Sequence, residues 1–230
     1  MNAVKTTVFD VLPSTQDYLR ALGGDEDFCV VAKAQEKGRG TKNRTFSSER
    51  GGVYLSLRKR FDGLQAKDAF FVMSSVAVAV CKTLESYGVT PKIKWANDVF
   101  VEDKKICGIL IENRLSGGFV KSALIGVGLN VNNPLPEELQ DTAITLKSLV
   151  GERSTDEVTE RLLQYLYAPF SFAEYESRLG FVGEEVELSF GEESKTAVFL
   201  GVDKTGNLRA QIGGERKTFS AVEVRLRKKV

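Results

Sequence analysis

Residues Lys92–Glu112 read KIKWANDVFVEDKKICGILIE. Ile93, Trp95, Val99 and Val101 alternate with polar neighbours, the period-two pattern of a half-buried strand. Glu102-Asp103-Lys104 is a charged reversal, and Ile106–Glu112 runs back as a mostly apolar strand. A hairpin of this kind brings Lys94, Asn97 and Asp98 close to Lys105. On these residues alone a solvated charged face and a functional site fit equally well, because surface charge is the default for such side chains. The hairpin decides a β-rich core, and the surrounding chain has to say what its charges are for.

Composition narrows the chemistry. A chain of 230 residues suits one medium domain, or one domain with a small appendage, and can bury a sizeable core. The formal net charge is +1, so nothing global argues for nucleic acid. No apolar run is long enough for a membrane helix, and MNAVKTTVFD lacks the apolar segment of a signal peptide. Cys29, Cys81 and Cys107 are widely spaced in apolar contexts, which fits reduced core thiols in a cytoplasmic protein. There is no histidine, which excludes Ser-His-Asp and Cys-His catalytic units and any His-containing zinc site. No C-x-x-C pair exists either. Chemistry here must run on lysine, arginine, carboxylates and backbone amides, with or without a bound Mg²⁺.

Upstream of the hairpin, Val4–Val11 reads as a strand. Ser14-Thr15-Gln16-Asp17 then starts a helix through Leu22 that Gly23-Gly24 ends. Capping accounts for Ser14 and Thr15, and a helix N-terminus also offers unpaired amides to polar ligand groups, so both roles can coexist. Phe28–Ala34 is a buried-type strand. Between Glu36 and Arg60 eight basic residues stand against two acidic ones, and Gly38 and Gly40 bracket Arg39. Such a loop can present successive N–H groups to an anion, or be a mobile surface turn. Neither a Rossmann fingerprint nor a P-loop is completed anywhere. Gly52–Arg58 alternates as a strand, and Asp68–Tyr87 is apolar on nearly every face, as a core helix against a sheet should be.

Downstream, Phe119–Asn132 adds another strand, so that three consecutive antiparallel strands form a meander carrying the polar residues. Asn133–Glu138 is a Pro-rich loop and Ala143–Leu149 a short element. Ser154-Thr155-Asp156-Glu157 is a capping box before a helix that Pro169 ends, with a further amphipathic piece to Leu179. From Gly180 the texture changes to short strands joined by GEES, DKTG and GGE turns, which suggests a small closed β-barrel of the SH3-like kind. The domain boundary is therefore expected near Gly180, giving residues 1–179 and 180–230. Arg225–Lys229 reads as a solvated basic tail.

Five stretches taken together resemble one family. Ser14-Thr15-Gln16, Gly38-Arg39-Gly40, Lys94-Trp95-Ala96-Asn97-Asp98, Lys105–Glu112 and Gly126-Val127-Gly128-Leu129-Asn130-Val131 match, in order, the motifs of biotin protein ligases. The resemblance spans most of residues 8–180. It implies an α+β fold: a mixed, mostly antiparallel sheet packed with helices, like that of class II synthetases, plus a C-terminal SH3-like β-barrel. It implies ATP-dependent joining of biotin to a lysine of a biotin carboxyl carrier protein, with Mg²⁺, through biotinyl-adenylate. By resemblance Lys105 is the principal catalytic cation, and Arg39 with the amides of Gly38–Gly40 holds carboxylate and phosphate. Ser14, Thr15, Gln16, Gln35 and Gly108 stand at the biotin ring. Arg44, Phe46, Lys94, Asn97 and Asn130 fall at nucleotide positions, and Asp98 either binds Mg²⁺ or orients the acceptor amine. Trp95 is expected in the core.

The chain also departs from the family's usual GRGRxGRxW. Thr41 replaces an arginine, Asn43 a glycine and Phe46 a tryptophan, with Lys42 as a substitute charge, and Ala96 replaces a proline. These changes imply looser retention of the adenylate. Catalytic motifs that begin at Ser14 leave no room in this sequence for the helix-turn-helix domain of some relatives, so a ligase-only chain with no DNA or membrane partner is expected. A homodimer through the sheet is plausible by resemblance. The nearest rival is a lipoate–protein ligase; a rival of another class is a nucleic-acid-binding module built on Lys37–Arg60, which lacks the interleaved aromatics apart from Phe46 and Tyr54.

Overall fold

A computed structural model describes residues 4–41 and 44–229. Seven strands, β1 (Lys5–Phe9), β2 (Phe28–Ala32), β3 (Val53–Arg60), β4 (Lys92–Lys94), β5 (Asp98–Val101), β6 (Lys104–Ser116) and β7 (Phe119–Leu129), form one sheet. Their spatial order is β1-β2-β3-β7-β6-β5-β4. β1 and β2 run parallel, and the remaining pairs are antiparallel. This is the expected mixed, mostly antiparallel sheet. The meander has four strands rather than three, because Lys92–Val101 is two strands and not one. Asn97 leaves the ladder: its carbonyl accepts from Ile109 N–H and its amide donates to Ile109 O, at 2.9 and 3.1 Å. The chain reverses over Trp95–Asn97, so Lys94 pairs with Asp98.

Helix α1 (Thr15–Leu22) lies against β2, β3 and β7. Ser14 caps it, its Oγ accepting from Asp17 N–H at 3.3 Å, and Gly23 at φ 62° ends it. Helix α2 (Phe70–Glu85) packs on the opposite face, where Val72, Val76, Val80 and Leu84 recur at four-residue spacing and are fully buried. Burial of each such side chain contributes about 1.5–3 kcal/mol. Helices α3 (Leu146–Val150), α4 (Thr155–Leu166) and α5 (Phe172–Glu176) follow. α4 and α5 flank α2, so the sheet is covered on both sides. That double cover explains why Val53–Arg58 is buried at every position instead of alternating. Ser154 makes the hydroxyl half of the expected capping box, to Glu157 N–H. The reciprocal box forms at Ser171, whose N–H donates to Glu174 Oε2 at 2.9 Å.

Strands β8 (Glu185–Phe190), β9 (Glu193–Val202), β10 (Leu208–Ile212), β11 (Glu215–Phe219) and β12 (Arg225–Lys228) form the expected C-terminal β unit, in the order β11-β10-β9-β8-β12. Arg225–Lys228 is a paired strand on β8 rather than a solvated tail. Lys228 reaches Asp103 at 2.6 Å and Lys229 reaches Glu185 at 2.8 Å. One apolar cluster runs through both sheets, and Trp95 sits in it with its Nε1–H donating to Gly206 O at 2.9 Å. All three cysteines are free and buried, and burial pushes the Cys29 thiol up to about 12. No helix among the described residues is long and apolar enough to cross a membrane.

Candidate functional site

Glycines carve the site out of the sheet. Across three strands, Tyr54 pairs with Gly128 and Gly128 with Gly108; one step along, Ser56 pairs with Gly126 and Gly126 with Leu110. Where side chains on one face of a sheet are missing, a hollow is left. The Phe46 ring lies over the hollow. A Cβ added at Gly128 would come 2.5 Å from the ring, and one at Gly108 would come 3.1 Å from both the ring and Lys105 Nζ. The resulting cavity is about 350 Å³.

The polar wall at one end belongs to the N-terminus of α1. Ser14, Thr15 and Gln16 are buried there. Gln35 Oε1 accepts from both the amide and the hydroxyl of Thr15, at 2.8 and 3.0 Å, and Gln35 Nε2 donates to Ser48 Oγ at 2.9 Å. Beneath them the Ser56 hydroxyl has two acceptors within reach of its one proton, Thr15 Oγ1 at 2.9 Å and Gln16 Oε1 at 3.1 Å. Bonds this dense hold the hydroxyls and amides in fixed directions, as a site that reads a polar ring requires.

Residues 39–41 and 44–46 form the second wall. Phe46 N–H donates to Gly38 O and Gly40 N–H to Arg44 O, at 2.8 and 2.7 Å, so the loop doubles back on itself. Arg39, Gly40, Thr41 and Arg44 face the cavity. Arg39 Nη1 donates to Asp17 Oδ1 at 2.6 Å. Gly38 lies behind the lining: a Cβ there would overlap Phe46 O and Ser48 Oγ, so this glycine permits the loop's return and does not touch the space. Lys42 and Asn43 lie outside the described residues.

The hairpin β5–β6 supplies the third wall. Lys105 Nζ is 2.7 Å from Asp98 Oδ1 and stands 5.7 Å from the centre of the Phe46 ring. Asn97 and Asn130 also line the cavity, the latter donating to Ile144 O and accepting from Asn133. Lys94 does not reach it. Its ammonium lies 4.8 Å over the Phe100 ring, and burial lowers its pKa. Asp98 is the single carboxylate among the lining residues, and no cluster of three or more potential metal ligands occurs among the described residues. One carboxylate suits a hard cation that arrives with its own phosphate oxygens and waters, and does not suit an all-protein metal cage.

The cavity thus gathers Ser14, Thr15, Gln16, Gln35, Arg39, Gly40, Arg44, Phe46, Asn97, Asp98, Lys105, Gly108 and Asn130 from the sequence expectation and leaves out Gly38 and Lys94. Ser56 went unnoticed in the sequence, because a serine in an apolar strand carries no local signal. The segment of Leu135, Leu139, Thr142 and Ala143 went unnoticed as well. It closes the cavity beside Lys105, whose N–H donates to Thr142 O at 2.8 Å.

The chain is similar to known proteins. A family model described as the Biotin/lipoate A/B protein ligase family matches residues 8–130. The chain is 40% identical over 152 residues to the Bifunctional ligase/repressor BirA of Bacillus subtilis, covering 63% of this chain and 46% of that protein. It therefore spans about half the length of that curated relative. It is 28% identical over 221 residues to a Biotin--[acetyl-CoA-carboxylase] ligase of Mycobacterium tuberculosis, covering 89% of this chain and 81% of the other. Among solved structures it is similar to the biotin protein ligase from Aquifex aeolicus in complex with biotin and ATP, at a TM-score of 0.82 and 27% identity over 98% of this chain and 99% of that one. The family match takes in every wall of the cavity except the segment after Asn130 and covers more than half of the residues, so the chain belongs to the biotin/lipoate A/B protein ligase family.

Proposed function

We propose that this protein is a biotin–[biotin carboxyl carrier protein] ligase that uses ATP to form biotinyl-adenylate and then transfers biotin to a lysine of the carrier. The observation that carries this reading is the placement of Lys105 and Arg39 at one cavity between a buried hydroxyl–amide wall and the Asn97–Asp98–Asn130 side. In the first step a biotin carboxylate oxygen attacks the α-phosphorus of ATP; the P–O bond to diphosphate breaks and diphosphate leaves with the electron pair. The carboxylate is ionised at neutral pH, so the step needs no histidine base. It needs charge neutralisation and in-line placement, which Lys105 and Arg39 supply. Arg44 holds the polyphosphate, Phe46 packs on the adenine, and Asn97 and Asn130 orient the nucleotide. Ser14, Thr15, Gln16 and Gln35 meet biotin's two ureido N–H donors and its carbonyl, and Gly108 gives a backbone contact beside the ring. Mg²⁺ entering with ATP would offset phosphate charge, with Asp98 as the protein carboxylate beside it.

In the second step the neutral amine of the acceptor lysine attacks the acyl carbon, AMP departs with the electron pair, and the amine's proton goes to solvent. On this reading Asp98 either stays beside the Mg²⁺ or orients that amine. Residues 1–179 are the catalytic unit on this reading and 180–230 an SH3-like unit packed beside it. The protein partner is the biotin carboxyl carrier domain of a carboxylase, and two copies of the chain can pair through the sheet. The test is diphosphate release from MgATP with biotin, with lipoate or with no acid, using the parent and Lys105→Ala. Biotin-dependent release that falls about 10²- to 10³-fold in the variant is the expected result. Lipoate-dependent release would keep the chemistry and overturn the substrate, and no release with either acid would overturn the reading.

A further inference from the structure

We infer that Asp17 is a positioning residue for Arg39, held in that role by Arg20 and Glu112; the inference rests on the ligase reading above. Arg39 stands between two glycines on a loop that confines its side chain little, and an arginine has much rotamer freedom to lose. Its Nη1 donates to Asp17 Oδ1 at 2.6 Å. The same oxygen accepts from Arg20 Nη1, and Arg20 grips Glu112 on β6 as a fork, with Nη2 at 2.6 and 2.7 Å from the two carboxylate oxygens and Nε at 3.2 Å from Oε2. Four side chains therefore alternate in sign from the sheet to the cavity loop: Glu112, Arg20, Asp17, Arg39.

The chemistry of the fork decides what this arrangement does. Among the described residues the Arg39 guanidinium bonds only to Asp17, through Nη1, so Nη2 and Nε can meet a carboxylate or a phosphate oxygen. Asp17 is itself fixed at its backbone, whose N–H donates to Ser14 Oγ in the first turn of α1, where a negative charge is favoured. Burial opposes the charged form of Asp17, but the hydrogen bonds from Arg39 and Arg20 outweigh it and hold its pKa below the ordinary value. Exposed ion pairs contribute little to stability one at a time. The consequence to look for is thus in the geometry of Arg39 during the reaction and not in folding.

The test uses biotin-dependent diphosphate release by the full chain. Asp17→Asn keeps the backbone cap and removes the charge. It is expected to lower kcat about tenfold with KM for biotin and ATP changed less than about threefold, as expected for a misplaced catalytic cation. Asp17→Glu should recover most of the rate, and Arg20→Gln should show a smaller loss of the same kind. In an Arg39→Gln background Asp17→Asn should cost nothing further. A parental kcat in Asp17→Asn, or an undiminished loss in the Arg39→Gln background, would overturn the inference while leaving the ligase reading intact. A parent chain without biotin-dependent release would overturn both.

Discussion

Gly128→Ala is the sharpest perturbation of the cavity floor. Its methyl group would lie 2.5, 2.8 and 3.0 Å from three atoms of the Phe46 ring. Ordinary carbon contacts are about 3.5–4.0 Å, so the ring must retreat by about 1 Å. A ring locked in a core would make such overpacking cost about 1–3 kcal/mol. Phe46 is only half-buried, however, and among the described residues its aromatic partner is Tyr54, edge-on at 6.5 Å between ring centres. The ring can therefore swing away in the free protein, and the loss of stability should stay within about 1 kcal/mol, or about 2–4 °C of Tm for a chain of this size. The strain returns when ligand binding needs Phe46 and the floor together. There about 1–3 kcal/mol corresponds to about 5- to 150-fold weaker binding. Calorimetric titration with ATP and biotin, next to a thermal melt, measures both. Gly180→Ala is the control, since Gly180, like Gly128, has no positive φ, and an added methyl there meets nothing nearer than 3.4 Å. Parental affinity in Gly128→Ala would refute the argument that Phe46 and this glycine shelf form one binding surface.

Trp95→Phe should cost about 2–4 kcal/mol, because it leaves Gly206 O without its donor and opens space in the cluster that spans both sheets. Chemical denaturation reads this directly, and a midpoint unchanged within error would show that Trp95 does not tie β4 to the C-terminal strands. Acid stability follows from carboxylates held below their ordinary values, among them Glu174, Asp17 and Asp203. For Glu174 the hydrogen bond from Lys82 leads; for Asp17 and Asp203 burial opposes, and hydrogen bonds from Arg39 and Arg20, and from Thr205 and Asn207, prevail. A depressed carboxylate contributes stability that is present above its unfolded value, 3.8 for Asp and 4.5 for Glu, and lost as pH falls through its folded value. Tm should be nearly flat above about pH 5 and fall below about pH 4, with a shallower fall in Asp203→Asn. An equal slope in that variant would refute the assignment.

Whatever depends on neighbours in the chain was legible before any coordinates. Ser14 and Gly23 bracket α1 because capping is a local matter of one hydroxyl and one positive φ. The apolar run of α2 and the short strands after Gly180 are legible for the same reason, since periodicity is a property of contiguous residues. Lys105, Asp98 and Arg39 stand out as charged residues in apolar or glycine-rich stretches, but it was the resemblance to biotin protein ligases that gave them expected roles. The reading of Lys92–Val101 as one strand was wrong for a complementary reason: Asn97 breaks the ladder by bonding to Ile109, twelve residues away.

The sequence by itself thus determined most of the elements and the absence of histidine chemistry, and its resemblance to a family named most of the polar residues that line the cavity. Only the tertiary structure decided which of those residues share one space. Gly38 and Lys94 drop out because the loop folds over one and the Phe100 ring covers the other. Ser56, the pairing of Gly108 with Gly128 beneath Phe46, and the run from Glu112 through Arg20 and Asp17 to Arg39 come in. Each of these depends on register between strands or on contact between residues tens of positions apart. Such contacts are set by packing of the whole sheet, and no local pattern of side chains records them.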